Sequence, residues 1–167
     1  TYGGTIKNLT IDTPVGRGIV ISSPKQDIYI DNVVVDGPGY AINTTEHNGK
    51  NLIVTNSTVK GWTSFAGLDA VSFTKCNFGE NSSKYWQNNG YGRDYDRLIR
   101  PYVSTTFTEC VFEKGYVLEL SQLAANAKIT LKDCVCGEVE ITAENYDTYI
   151  SVELPDNREL TECVAFE

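Results

Sequence analysis

The sequence contains no methionine and a single histidine, His47. One imidazole and one Cys-x-Cys pair, Cys134 and Cys136, do not supply the spacing of a tetrahedral zinc site, so neither a metal nor a cofactor is expected. Basic residues are also scarce: 14 Lys and Arg stand against 22 Asp and Glu, a formal net charge of -8. Binding to a phosphate backbone needs a basic stripe, which makes nucleic acid a poor partner. No apolar run approaches the roughly 18 residues of a membrane span, and no basic-then-apolar leader precedes the first apolar pattern, so no transmembrane segment is expected. The chain opens at Thr1 rather than Met, which suits a mature product or an excised piece, and residues 1–167 are expected to form one domain of a longer protein.

The residues that are plentiful point toward strands. Ten Tyr and abundant Asn, Ser and Thr suit a β-rich module at the cell surface or outside the cell. Asn-x-Ser/Thr sequons begin at Asn8, Asn43, Asn56 and Asn81, and two of these asparagines fall at a turn position of a repeat, which is their simpler explanation.

That repeat is the dominant signal. Ile6-Lys7-Asn8-Leu9-Thr10-Ile11 recurs as Ile30–Val35, Val54–Val59, Phe73–Phe78, Phe107–Phe112, Leu131–Cys136 and Leu160–Ala165. Counted at Leu9, Val33, Ser57, Cys76, Cys110, Cys134 and Cys163, the steps are 24, 24, 19, 34, 24 and 29 residues. A unit of this size cannot bury its apolar face alone, so such spacing implies stacked repeats. Within each unit the apolar residues alternate, skip one extra polar residue and alternate again, as in Ile28, Ile30, Val33 and Val35. Two short strands therefore meet at a corner with both apolar pairs facing inward. Asn8, Asn32 and Asn56 occupy the corner, where left-handed backbone is tolerated, whereas Lys75, Glu109, Asp133 and Glu162 predict an ordinary bend. A third strand is expected after Gly18, Gly39, Gly115 and Gly137.

Three short strands in about 24 residues predict an all-β fold, a right-handed single-stranded parallel β-helix of about seven coils. The chain resembles the right-handed parallel β-helix (pectin lyase-like) superfamily, which includes pectate lyases, polygalacturonases and phage tailspikes. The run Leu98-Ile99-Arg100-Pro101-Tyr102, with Ile141-Thr142-Ala143-Glu144-Asn145, is also similar to β-helix modules of gut-bacterial surface proteins. The resemblance implies fold rather than activity.

Cys76, Cys110, Cys134 and Cys163 share one repeat position, and stacked thiols pack well as small hydrophobes. A disulfide between adjacent rungs is the alternative, since stacked strands fall within the permitted Cα separation. The step from Cys76 to Cys110 carries a ten-residue surplus, in the segment 79–97. Insertions in stacked repeats become loops on one side, and long loops are often functional. Tyr85, Trp86, Tyr91, Arg93, Asp94, Tyr95, Asp96, Arg97 and Arg100 gather there, and Trp62 lies in the neighbouring short repeat. Aromatic faces stack on sugar rings while Arg and carboxylates bond hydroxyls, so these ten residues form the candidate glycan-contacting set. The alternative is that they fold back to cover the flank, with their charges in surface ion pairs.

No catalytic residue is assigned. A lyase needs carboxylates holding calcium on strand faces, and a hydrolase needs paired carboxylates across a cleft. Gly67-Leu68-Asp69-Ala70 lacks an adjacent Asp pair, and His47 is not flanked by glycines. The expectation is a non-catalytic bacterial module acting as a rigid spacer or glycan-contacting surface. A polysaccharide lyase or glycoside hydrolase fragment acting on acidic polysaccharide, and a phage or adhesin fibre segment, are the alternatives. Apolar rungs at Ile6, Leu9 and Ile11, and at Leu160, Cys163 and Ala165, predict end-to-end self-association or covering by flanking domains.

Overall fold

The computed structural model describes residues 3–37, 39–44, 50–90 and 93–167. In chain order the elements are β1 Gly4–Asp12, β2 Arg17–Ile21, β3 Ile28–Asp36, β4 Tyr40–Thr44, β5 Asn51–Thr55, β6 Thr58–Lys60, β7 Thr63–Phe65, β8 Ala70–Thr74 and β9 Asn77–Gly79. They continue with α1 Tyr85–Asn88, β10 Leu98–Pro101, β11 Thr105–Thr108, β12 Val111–Phe112, β13 Tyr116–Glu119, β14 Ile129–Lys132, β15 Val135–Cys136, β16 Val139–Glu140, α2 Tyr146–Tyr149, β17 Ile150–Glu153, α3 Leu160–Cys163 and β18 Val164–Phe166.

The chain is all-β, but the expected single-stranded right-handed β-helix of about seven coils is corrected by the sheet topology. β1 and β3 run unbroken through the corner for nine residues each and join what would be two separate columns. The result is one 12-stranded mixed sheet, curled into a half-barrel, and a second, purely parallel sheet of six strands in the order β17-β13-β10-β7-β4-β2. The mixed character comes from β15 and β16, which pair antiparallel. Gly137, at φ 63°, opens a two-residue turn there, as a type II′ hairpin requires. The strand expected after Gly137 therefore folds back on its own repeat, and β17 takes its place in the second sheet. The strands expected after Gly18, Gly39 and Gly115 do lie in that sheet, as β2, β4 and β13.

Elsewhere the pairing follows the repeat spacing: Ile30 lies beside Val54, Val54 beside Phe73, Phe73 beside Phe107 and Phe107 beside Leu131. Stacking in register puts like side chains on top of one another, and the core rings comply. Phe73 and Phe107 stack at 5.3 Å and 6°, Phe78 and Phe112 at 5.0 Å and 11°, and the two pairs meet edge to face. The last repeat breaks this register. Val164 pairs with Ile129 and Phe166 with Leu131, so Leu160–Cys163 becomes the helical turn α3 rather than a strand. A capping box between Glu159 and Glu162 holds that turn. Cys163 is consequently not part of the thiol file, and the seventh unit is a closing segment that leaves Cys163 and Val164 buried.

The corners are left-handed well beyond the asparagines. Asn8, Asn32 and Asn56 lie at φ 57°, 51° and 50°, and Lys75, Glu109 and Asp133 at 54°, 50° and 51°. A non-Gly residue pays roughly 1–2 kcal/mol in this region. The cost is met by hydrogen bonds from the next repeat, since the amides of Asn56, Lys75, Glu109 and Asp133 donate to the carbonyls of Thr74, Thr108, Lys132 and Glu167 at 3.0, 2.9, 2.9 and 2.8 Å. The residue after each corner then caps the turn: Ser57 Oγ, Cys76 Sγ, Cys110 Sγ and Cys134 Sγ donate to the carbonyls of Thr55, Thr74, Thr108 and Lys132. All five cysteines are free and buried, so packing rather than a disulfide accounts for them. Contacts with the Cys134 and Cys76 thiols, together with burial, push the Cys110 thiol up and keep it protonated at neutral pH.

Glu109→Asn should raise stability by about 1 kcal/mol in urea denaturation, because asparagine takes the left-handed corner at lower cost while the exposed Lys75–Glu109 pair contributes little. A loss of stability would show that the glutamate side chain, not the ladder, supports the corner.

Candidate functional site

Of the segment 79–97, residues 79–90 and 93–97 pack against the second sheet, with Tyr95 on Trp62 and Arg93 on Glu153. Asn81, 1% exposed, ties its start down: the Asn81 side chain donates to Asp36 at 2.6 Å, and the Asn81 amide donates to the Asp96 carbonyl at 2.7 Å. Asp96 is fully buried and accepts the amides of Trp86 and Gln87 at 3.2 and 3.0 Å, at the start of α1. Burial pushes the Asp96 carboxyl up more strongly than these two amides pull it down. Asp94 accepts the Asp96 amide at 2.9 Å and lies 3.4 Å from Arg97. Glu80 receives Arg97 at 2.8 Å, Gln87 at 2.5 Å and Lys84 at 3.1 Å. Although burial raises Glu80, its bonds from Gln87 and Lys84 outweigh that and hold its carboxyl low.

Beneath the loop lies an aromatic stack built by two glycine-led turns. Gly39 and Gly61 precede Tyr40 and Trp62, and a Cβ on either glycine would come within 2.3 or 2.5 Å of the carbonyl of Gly16 or Gly37. Only glycine permits that approach, which brings successive repeats close enough for their rings to stack. Tyr40 stacks on Trp62 at 4.1 Å and Tyr95 at 4.2 Å, each at 27°. Two rings at such distances take opposite faces of one indole, so both faces of Trp62 are occupied. Trp86 meets Trp62 and Tyr95 edge-on at 5.7 and 5.0 Å, and Tyr85 meets Trp86 edge-on at 5.4 Å. Arg17 lies over Tyr40 at 5.2 Å and Arg93 over Tyr95 at 5.8 Å, with Arg100 5.3 Å from the Trp62 ring centre.

The arginines are also paired. Arg100 binds Glu119, the adjacent residue across the β10–β13 register, and Arg93 binds Glu153 on β17. Glu119 is 2% exposed and also accepts the Ser121 hydroxyl and amide. Burial alone would raise it, but the Ser121 and Arg100 bonds and the Arg100 charge together hold its carboxyl below the usual range.

Of the ten candidates, nine are brought together on this flank: Trp62, Tyr85, Trp86, Arg93, Asp94, Tyr95, Asp96, Arg97 and Arg100. Tyr91 and the loop residue His47 lie outside the described residues. The candidates pack on one another, with Tyr40, Trp62, Trp86 and Tyr95 half-buried. Sequence reasoning missed Arg17, Tyr40, Glu80, Glu119 and Glu153. The signal for the first two was present, since Gly16-Arg17, Gly39-Tyr40 and Gly61-Trp62 place a large side chain after glycine in successive repeats. Among the described residues no group of three His, Cys, Asp or Glu side chains is placed to hold a metal ion. Among the described residues no helix is long and apolar enough to cross a membrane. No family model, curated protein or solved structure matches the chain.

A carboxyl held low in the fold stabilises above its unfolded value, about 4.3 for Glu, and that stabilisation is lost as pH falls through the folded value. Thermal melts should therefore show stability falling below about pH 4. Glu119→Gln should lower stability at neutral pH, by removing the carboxylate that Arg100 faces, and flatten the acid loss. An unchanged slope would show that Glu119 is not linked to folding in this range.

Proposed function

We propose that this chain is a non-catalytic module of an extracellular or cell-surface protein, serving as a rigid spacer with one chemically distinct flank. The observation that carries this reading is the double-sided stacking of Trp62 by Tyr40 and Tyr95. A ring covered on both faces is spent on holding the loop to the sheet and offers no platform for a sugar. The charged groups support the same reading. Arg93, Arg97 and Arg100 each face a carboxylate, and Asp96 is buried under backbone amides, so these groups are committed within the fold.

A second reading is favoured by the partial exposure of Tyr40, Trp62, Trp86 and Tyr95. Ring edges and phenol hydroxyls can meet a polysaccharide laid along the flank, in the manner of an aromatic-rich paratope.

A glycan array, probed with and without calcium and including uronate polymers, separates these readings. The spacer reading expects no saturable binding. Binding that drops at least tenfold in Trp86→Ala would replace it with the glycan-contacting reading, and chain cleavage of any bound glycan would overturn the non-catalytic assignment.

A further inference from the structure

A groove of about 540 Å³ is lined by residues of β6, β9, β12 and β15. Each of these strands is paired on both edges: β6 with β3 and β9, β12 with β9 and β15, and β15 with β12 and β16. The groove therefore belongs to paired strands, not to an open edge. Its position traces to one residue. Gly79 lies between Lys60 and Glu113 of the neighbouring repeats, so a side chain is missing from the middle of that file. The backbone does not need glycine here. The φ of Gly79 is outside the left-handed region, and a Cβ would meet only side-chain atoms, Glu113 Oε2 at 3.1 Å and Lys60 Cγ at 3.8 Å. Gly39 and Gly61 face carbonyls instead. A glycine weakens a strand and often marks a place where a ligand approaches, and the space left at Gly79 is what its choice provides.

The walls of the groove are apolar and its rim is charged. Val111, 36% exposed, lines it with Phe112 and Tyr149. Cys136, 9% exposed, lines it too, and its Sγ donates to no carbonyl among the described residues, unlike the thiols of Cys76, Cys110 and Cys134. Lys60, Glu113 and Lys114 supply the charges. One Glu113 oxygen accepts the Glu80 amide at 2.6 Å, and Lys60 donates to the Ser82 hydroxyl at 3.3 Å. Among the described residues neither lysine is paired with a carboxylate, whereas Lys75, Lys84, Arg93, Arg97 and Arg100 all are. Lys60 and Glu113 flank Gly79 and offset one another, which leaves the Lys114 ammonium uncompensated. We propose that the groove binds one amphipathic monocarboxylate, of the fatty-acid class, with its chain on Val111, Phe112 and Tyr149 and its carboxylate at Lys114. The volume falls within the roughly 300–1,000 Å³ of small-molecule sites, where apolar walls and a few polar groups fix the ligand. One positive charge in excess at the rim complements one negative charge on the ligand. A sugar would leave most of its hydroxyls without partners on these apolar walls.

The probe is sodium dodecanoate, titrated below its micelle concentration into the full chain and followed by calorimetry and amide NMR shifts. Saturable one-to-one binding is expected, with shifts centred on Gly79, Val111–Gly115 and Cys136. It should weaken about tenfold in Lys114→Glu, whose exposed site lets the variant keep its circular dichroism melt. Gly79→Leu should weaken it at least as much, by filling the groove without meeting a backbone atom. Should Gly79→Leu lose its fold, Lys114→Glu alone decides. Dodecyltrimethylammonium, with the same chain and the opposite charge, should not bind. Absence of saturable binding, equal binding of the cationic amphiphile, an affinity unchanged in Lys114→Glu, shifts away from the groove, or dimerisation of the chain through this face would overturn the proposal.

Discussion

The main-chain ladder between successive repeats is the interaction on which the rest of the structure depends. The first six repeats each present a strand pair joined by a left-handed corner, and the corner amides of Asn56, Lys75, Glu109 and Asp133 donate to a carbonyl one repeat further on. Where the corner residue is asparagine this agrees with local preference. Where it is Lys75 or Glu109 the ladder imposes a backbone that the residue would not choose alone. The hydroxyl of Ser57 and the thiols of Cys76, Cys110 and Cys134 then bond the carbonyl two residues back, which explains why this file holds small donors as well as apolar side chains. Val33 at the same place shows that packing alone also suffices.

With the ladder in place, the core and the flank follow. Register brings Phe73 over Phe107 and Phe78 over Phe112, so the core is a set of stacked files rather than an irregular cluster. On the outer side Tyr40 stacks on Trp62, and Arg100 pairs with Glu119. The 79–97 segment completes both arrangements from outside, supplying Tyr95 to the indole and Arg93 to Glu153. Arg93, Arg97, Arg100 and Asp96 on this flank thus hold one part of the protein to another.

Much of this was legible in the sequence, for a physical reason: stacked repeats translate a linear period directly into spatial register. The neighbours of Ile30, Val54 and Phe73 follow from counting. What was not legible arose where one short segment could obey either of two local rules. Gly137-Glu138-Val139 looks like Gly115-Tyr116-Val117, yet it turns back as a hairpin while the other continues to the second sheet. Leu160–Cys163 matches the repeat by residue type, but the capping glutamates make it helical and shift the register of β18. On the flank, clustering of aromatics and arginines was visible and the Gly39-Tyr40 and Gly61-Trp62 pattern was present, whereas the occupation of both Trp62 faces was not, because no spacing places Tyr95 of the inserted segment on the second face. Fusion of the columns through the unbroken β1 and β3 likewise depends on how far pairing runs past the corner, which residue pattern does not state.

Native-state hydrogen exchange at the corner amides tests the central claim most directly. If the ladder holds the corners, the amides of Asn56, Lys75, Glu109 and Asp133 should exchange only through global unfolding, with the same free energy as the buried Phe73 and Phe107 amides. Rapid exchange at Lys75 and Glu109, while the neighbouring strands stay protected, would contradict the account, because those corners would then form without the bonds said to impose them.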